Sequence, residues 1–243
     1  MGTCEFDRLF EIRVVHIHEK IFFSLDYNSF KNCQEVSKSW YNLLTSESSQ
    51  RWHRSVFREA IQGELETAIR NDQKEVVREM ISNGMAEVDC MIQDKNKPLS
   101  GITPLCLAAC SEHGDIVQLL LDAGAEPDKL GDSNQFPPIL YAALGGRLGI
   151  VKALLGGGAN PNIMGPYGTT ALHLASKFGI LDVAKLLLNA GSDPNLRDFD
   201  GMTSLSMALE ETEDPHITPM ANKERKERKH KIANILRKNG GTQ

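Results

Sequence analysis

The sequence predicts an all-α fold, a solenoid of about five short helix-turn-helix repeats with hairpin loops between them, preceded by a small helical unit. Three observations carry that expectation. Segments spaced by a fixed period align with one another over Ile102–Asn195. Within each segment apolar residues recur at helical spacing between encoded starts and stops. The first fifty or so residues lie outside the repeat but show two amphipathic stretches and one of the chain's two tryptophans.

Taken in chain order, Val14, Ile17, Ile21 and Leu25 recur at steps of three and four, which places them on one helical face until "DYNS" breaks the pattern. Phe30, Cys33, Val36, Trp40 and Leu44 continue at similar spacing in a second helix starting near Ser29. This unit, residues 8–50, is too small for a sizeable core of its own and calls for a partner or a staple. "TSESSQ" is a brief polar turn, and Trp52, Val56 and Ala60 follow on one helical face, so the join to residues 51–243 should be stiff.

The repeats are expected at about 53–98, 99–132, 133–165, 166–198 and 199–243. Thr103, Pro137, Thr170 and Thr203 occupy equivalent positions 34, 33 and 33 residues apart. Threonine there suits a helix cap, and Pro104 suits the first helical position, where no intrahelical donor is needed. Ala108-Ala109, Ala142-Ala143 and Ala175-Ser176 keep the first helix thin for close stacking, while Leu105, Leu107, Leu172 and Leu174 fill the seam. The second helices "DIVQLLL", "GIVKALL" and "LDVAKLLL" run to stops at Gly124, Gly158 and Gly191. Upstream, Val76-Val77, Met80-Ile81 and Gly84 read as a divergent first repeat; downstream, Gly201 restarts the unit. The last second helix is displaced by an insertion and falls within one long, exposed helix from about Pro219, capped by Thr218 and laced by Glu224–Arg228 and Glu227–Lys231 spacings. Its basic cluster reads as a solvated face, with a nuclear import signal as the alternative.

The repeat resembles the ankyrin repeat, a helix-turn-helix-hairpin unit of about 33 residues. "TTALHLA" lies close to that family's Thr-Pro-Leu-His-x-Ala signature, whereas Cys106 and Leu140 stand where the family has histidine and Pro137 where it has threonine. A second resemblance lies upstream: "IFFSLDYNSFKNCQEVSKSWYNLL" is similar to the body of an F-box, with Ile21, Phe22, Leu25, Asp26, Ser29, Phe30, Cys33, Val36, Ser37, Lys38 and Trp40 at matching offsets. That resemblance implies a trihelical docking unit anchored by Trp40. Its apolar face, drawn from Val14, Ile17, Ile21, Phe22, Leu25, Phe30, Val36 and Trp40, would bind the Skp-family adaptor of a cullin–RING ubiquitin ligase. The family's opening Leu-Pro-x-Glu is replaced by Arg13, Val14, Val15 and His16, and the proline belongs to the family's adaptor contact. Together the resemblances imply a substrate receptor of an SCF-type ligase; the alternative is an ankyrin scaffold whose N-terminal helices are only a cap.

The ankyrin resemblance also implies where a protein target would bind, because hairpin tips and the two positions after the Ala-Ala pair do not pack on the neighbouring repeat. That rule gives Phe136, Leu144, Tyr167, Lys177, Phe178, Phe199, Met202, Glu210 and Glu211 on one concave side. An apolar element of the target is expected between Tyr167 and Phe199, oriented by Lys177 and the Glu210-Glu211 pair.

Composition narrows the alternatives. A chain of 243 residues with 41% apolar and 24% charged residues and a net charge of −5 has no electrostatic reason to bind nucleic acid. Apolar runs such as "IVQLLL" are far shorter than the roughly 20 residues of a membrane span. No secretion or acylation signal is expected in "MGTCEFDRLF", and five cysteines without framework spacing point to a reduced, cytoplasmic setting, with the nucleus as the alternative. Cys106 and Cys110 stand four apart but lack a second ligand pair, so packed thiols are expected and no metal or cofactor. "GGGANPN" lacks the lysine and hydroxyl of a phosphate loop, and no nucleophile stands in a recognisable motif, so no enzymatic activity is expected. Outside the ligase complex the protein is expected to be a monomer.

Overall fold

Threonine hydroxyls start three of the first helices. In the computed structural model, which describes residues 61–82, 86–92, 101–130, 136–210 and 218–242, Thr103 accepts a hydrogen bond from the Cys106 N–H (3.2 Å), Thr170 from His173 and Thr203 from Ser206. Such caps satisfy donors that a helix leaves open at its N-terminus. Pro137 offers no side-chain bond at the equivalent place, and Pro138 simply occupies the first position of its helix.

Ten α-helices fall among the described residues, arranged as consecutive pairs. The first helices are α1 (61–70), α3 (Pro104–Cys110), α5 (Pro138–Leu144), α7 (Ala171–Phe178) and α9 (Ser204–Leu209). The second helices are α2 (Lys74–Ser82), α4 (Gly114–Asp122), α6 (Leu148–Gly156), α8 (Leu181–Asn189) and α10 (Pro219–Lys238). From α3 onward each first helix packs on the next, α3 on α5, α5 on α7 and α7 on α9, and the second helices stack likewise from α2 to α10. Leu105, Leu107, Ala108, Ala109, Ala142, Ala143, Leu172 and Ala175 are fully buried, so the alternation of small and large side chains does form the seam. At the ends of α4, α6 and α8 the N–H groups of Ala125, Ala159 and Ser192 turn back to Leu120, Leu154 and Leu187, each at 3.0 Å, over left-handed Gly124, Gly158 and Gly191.

Polar side chains fix the register between pairs. Asp128 accepts from the Asn160 N–H (3.1 and 3.0 Å), Asn162 from Asp193 (2.7 Å) and Asn195 from Thr242 (2.8 Å), and Asp89 serves Glu126 in the same way. This ladder runs through the loops after the second helices. At the opposite turn, His113 reaches the Arg70 carbonyl (3.3 Å) and Asp72, and Arg147 repeats the arrangement one unit later on the Ala109 carbonyl (2.9 Å) and Glu112 (3.0 Å). The next unit replaces the cation by Ile180 and the acid by Gly146, where an added Cβ would meet the Ile180 side chain at 3.5 Å.

The final helix departs from its expected exposure. Thr218 caps it and Pro219 opens it as the spacing predicts, but Lys229, Ile232, Ala233 and Leu236 are buried. This inner face packs on α9, α8 and α7, so the C-terminal half of α10 is the missing second helix of the last pair. Among the described residues no helix is long and apolar enough to cross a membrane. The docking residues Val14, Ile17, Ile21, Phe22, Leu25, Phe30, Val36 and Trp40, the stiff join at Trp52, Val56 and Ala60, and Glu211 lie outside the described residues.

Candidate functional site: the hairpin tips and first-helix ends

The hairpins between pairs are held from both sides. His173 provides one fixing point, its Nδ1 accepting from the Thr170 N–H (3.2 Å), which leaves Nε2–H to donate to the Met202 carbonyl of the next hairpin (3.1 Å). Burial lowers its pKa from the ordinary 6.5, partly offset by the bond to Met202, so the neutral tautomer that makes both contacts is favoured. Cys106 occupies the same position two units earlier, and its thiol donates towards the carbonyl of Phe136, the residue equivalent to Met202 (3.6 Å), and that of Lys129 (3.7 Å). Burial pushes that thiol up to about 12, so it stays protonated and unreactive. Leu140 makes the contact without a hydrogen bond, lying instead against Gly165.

Upon this frame the last two hairpins are joined directly. The Phe199 N–H donates to the Tyr167 carbonyl (3.0 Å), and the Phe199 ring lies so close to Gly168 that a Cβ there would meet it at 2.7 Å. Asp198 folds the second tip by accepting from the Asp200 (3.1 Å) and Met202 (2.8 Å) N–H groups. Both aromatic side chains nevertheless project outward, Tyr167 being 73% and Phe199 80% exposed. Tyr167 also adopts a left-handed backbone, φ 68°, a conformation that costs a side-chain-bearing residue about 1 kcal/mol or more.

The other expected target residues are placed differently. Phe136 is half-buried, packed edge-on against Tyr141 with ring centroids 5.6 Å apart and against Gly165. Phe178, 37% exposed, lies under the guanidinium of Arg225, 5.6 Å from the ring centroid, and Arg225 also donates to the Lys177 carbonyl (3.3 Å). The ammonium of Lys229 holds the Glu210 carbonyl. Lys177 and Glu210 keep exposed side chains, Met202 is half-buried, and Leu144 is 40% exposed at the end of α5. Thus α10 occupies the first-helix ends of the last two pairs, and the two hairpin aromatics stand free of it. Sequence reasoning missed Arg225 and Lys229 because their role depends on where the displaced helix returns. Asp200, exposed at the hairpin tip beside Phe199, was legible in "DFDG" but not singled out.

Among the described residues no group of three or more His, Cys, Asp or Glu side chains is arranged to hold a metal ion. The sequence matches a family described as Ankyrin repeats (3 copies) over residues 65–130 and 139–218. Comparison with curated proteins gave no match.

Proposed function

The chain belongs to the ankyrin-repeat family, an architecture that binds proteins, and from that premise we propose that it captures a protein partner on the hairpin surface around Tyr167 and Phe199. The observation that carries this reading is Tyr167. A large aromatic ring held in a left-handed turn and left mostly in water adds little burial to the fold, and strained residues of this kind cluster at functional sites. Phe199 beside it presents a second exposed ring, and exposed aromatics fixed on a rigid frame are the side chains that anchor interfaces, each worth a few kcal/mol. In this reading Leu144, Lys177, Met202 and Glu210 are outlying members of the surface, and Phe136 and Phe178, packed on Tyr141 and under Arg225, are not its anchors. The Tyr167→Ala, Phe199→Ala double variant is expected to lose partner capture while melting within a few degrees of the parent; normal capture by a folded double variant would remove this surface from the reading.

The finer reading is a substrate receptor of an SCF-type ubiquitin ligase, supported by the run from Ile21 to Trp40 alone. In it the N-terminal segment docks on the Skp-family adaptor and the repeat array presents the captured protein. The replacement of the family's Leu-Pro by Arg13-Val14 supports the alternative, an ankyrin scaffold with no ligase role. Co-purification with the adaptor separates them: the parent chain should bring it down and Leu25→Asp should not. Equal recovery with both, or with neither, would leave the scaffold reading standing.

A further inference from the structure

We infer that the Tyr167–Phe199 surface takes an arginine-bearing segment of its partner, the guanidinium stacking on the exposed rings and pairing with the Asp200 carboxylate. This rests on the protein-binding reading of the same surface. Three observations lead to it. The molecule already contains the contact it would make: Arg225 lies over Phe178 at 5.6 Å while donating to a main-chain carbonyl, so an aromatic at the end of one repeat is completed by an arginine. Tyr167 and Phe199 are more exposed than Phe178. The charged residues adjoining Phe199 are Asp198, buried and accepting from the tip's N–H groups, and Asp200, exposed at the tip, while the exposed Arg197 of the same hairpin is engaged on the Gly201 carbonyl (2.7 Å).

Charge on the larger scale agrees. Pro219–Lys238 carries eight Lys or Arg against two Glu, so the net charge of −5 is a balance between +6 on α10 and −11 on the rest of the chain. A cationic segment is therefore drawn to the chain outside α10 rather than repelled by it. Arginine fits better than lysine because its planar guanidinium stacks on a ring and presents a fork of donors to a carboxylate at the same time.

The test is a selection of random peptides displayed on phage against the full chain, followed by binding measurements on the enriched peptides. Enriched peptides should share an arginine; replacing it by lysine, or Asp200 by Asn in the protein, should weaken binding roughly tenfold. Tyr167→Ala with Phe199→Ala should abolish it. Neither Asp200 nor the two rings is part of the core, and equal melting temperatures will show that the variants are folded. Peptides that need the two aromatics but are indifferent to arginine and to Asp200 would overturn this inference and leave the binding surface intact. Peptides indifferent to the aromatics would overturn both.

Discussion

At the scale of single residues, Tyr167 separates what serves the fold from what serves binding. Asparagine tolerates a left-handed backbone better than tyrosine. Tyr167→Asn should therefore leave stability unchanged or raise it by up to about 1 kcal/mol while weakening partner capture, as thermal melts beside a binding assay will register. A drop in stability would mean that the ring packs in a way its exposure hides. His173 gives a pH-dependent prediction. Its folded pKa is depressed by burial, whereas the unfolded imidazole takes up a proton below about 6.5. The array should lose stability as pH falls from about 6.5 towards the folded value and show no such change above it. His173→Cys, which copies Cys106, should flatten that slope in denaturant titrations at several pH values. Asp128 stands where Asn162 and Asn195 stand in later repeats, and those amides also donate, to Gly191 (3.2 Å) and Gly240 (3.0 Å). Burial raises the Asp128 pKa, partly opposed by its bond from Asn160, so the ionised form costs stability above that pKa. Asp128→Asn should stabilise at neutral pH by about 1 kcal/mol, and the gain should shrink in acid, where the parent carboxyl is itself protonated.

At the scale of elements, what was legible in the sequence was whatever local residue types decide. Thr103, Thr170, Thr203 and Thr218 cap helices because a hydroxyl three residues before an open N–H needs no distant partner. The turns at Gly124, Gly158 and Gly191 followed for the same reason. That the end of α10 serves as the last second helix was legible in "HKIANILRKNG", and Ile232, Ala233 and Leu236 are buried where it packs on α8 and α9; the burial of Lys229, in a helix that reads as charged and exposed, was not legible. Phe136 likewise gave no local sign that Tyr141 and Gly165 would hold its ring. The basic cluster is drawn into the fold in part, for Lys229 is buried and Arg225 covers Phe178. α10 comes close to the chain at Gly179, left-handed at φ 71°, where a Cβ would stand 3.1 Å from the Arg225 carbonyl oxygen. Gly179→Ala should combine about 1 kcal/mol of backbone strain with displacement of α10. Gly191→Ala, also left-handed but facing open space, should show the strain alone. Equal losses in the two variants would mean that the α10 contact contributes nothing.

At the scale of the whole molecule, the family match covers residues 65–130 and 139–218, which hold most of the described repeats, and the ligase proposal depends on residues 8–50 alone. The two claims are therefore separable, and failure of the adaptor interaction would not disturb the account of the repeats. What the repeat architecture supplies is a rigid frame, built by the Asx ladder and the His113 and Arg147 contacts, on which two aromatic side chains are presented to solvent. The central claim is that partners are met at those rings and not on the outer face of the second helices. Site-specific photocrosslinking tests this most directly, with a photoreactive phenylalanine placed in turn at Tyr167, Phe199, Lys152 and Lys185, the last two exposed on α6 and α8. Expressed in cells, the chain labelled at 167 and 199 should yield the same discrete protein adduct, and the chain labelled at 152 and 185 should yield none. Adducts confined to 152 and 185 would contradict the account and move the binding surface to the second helices.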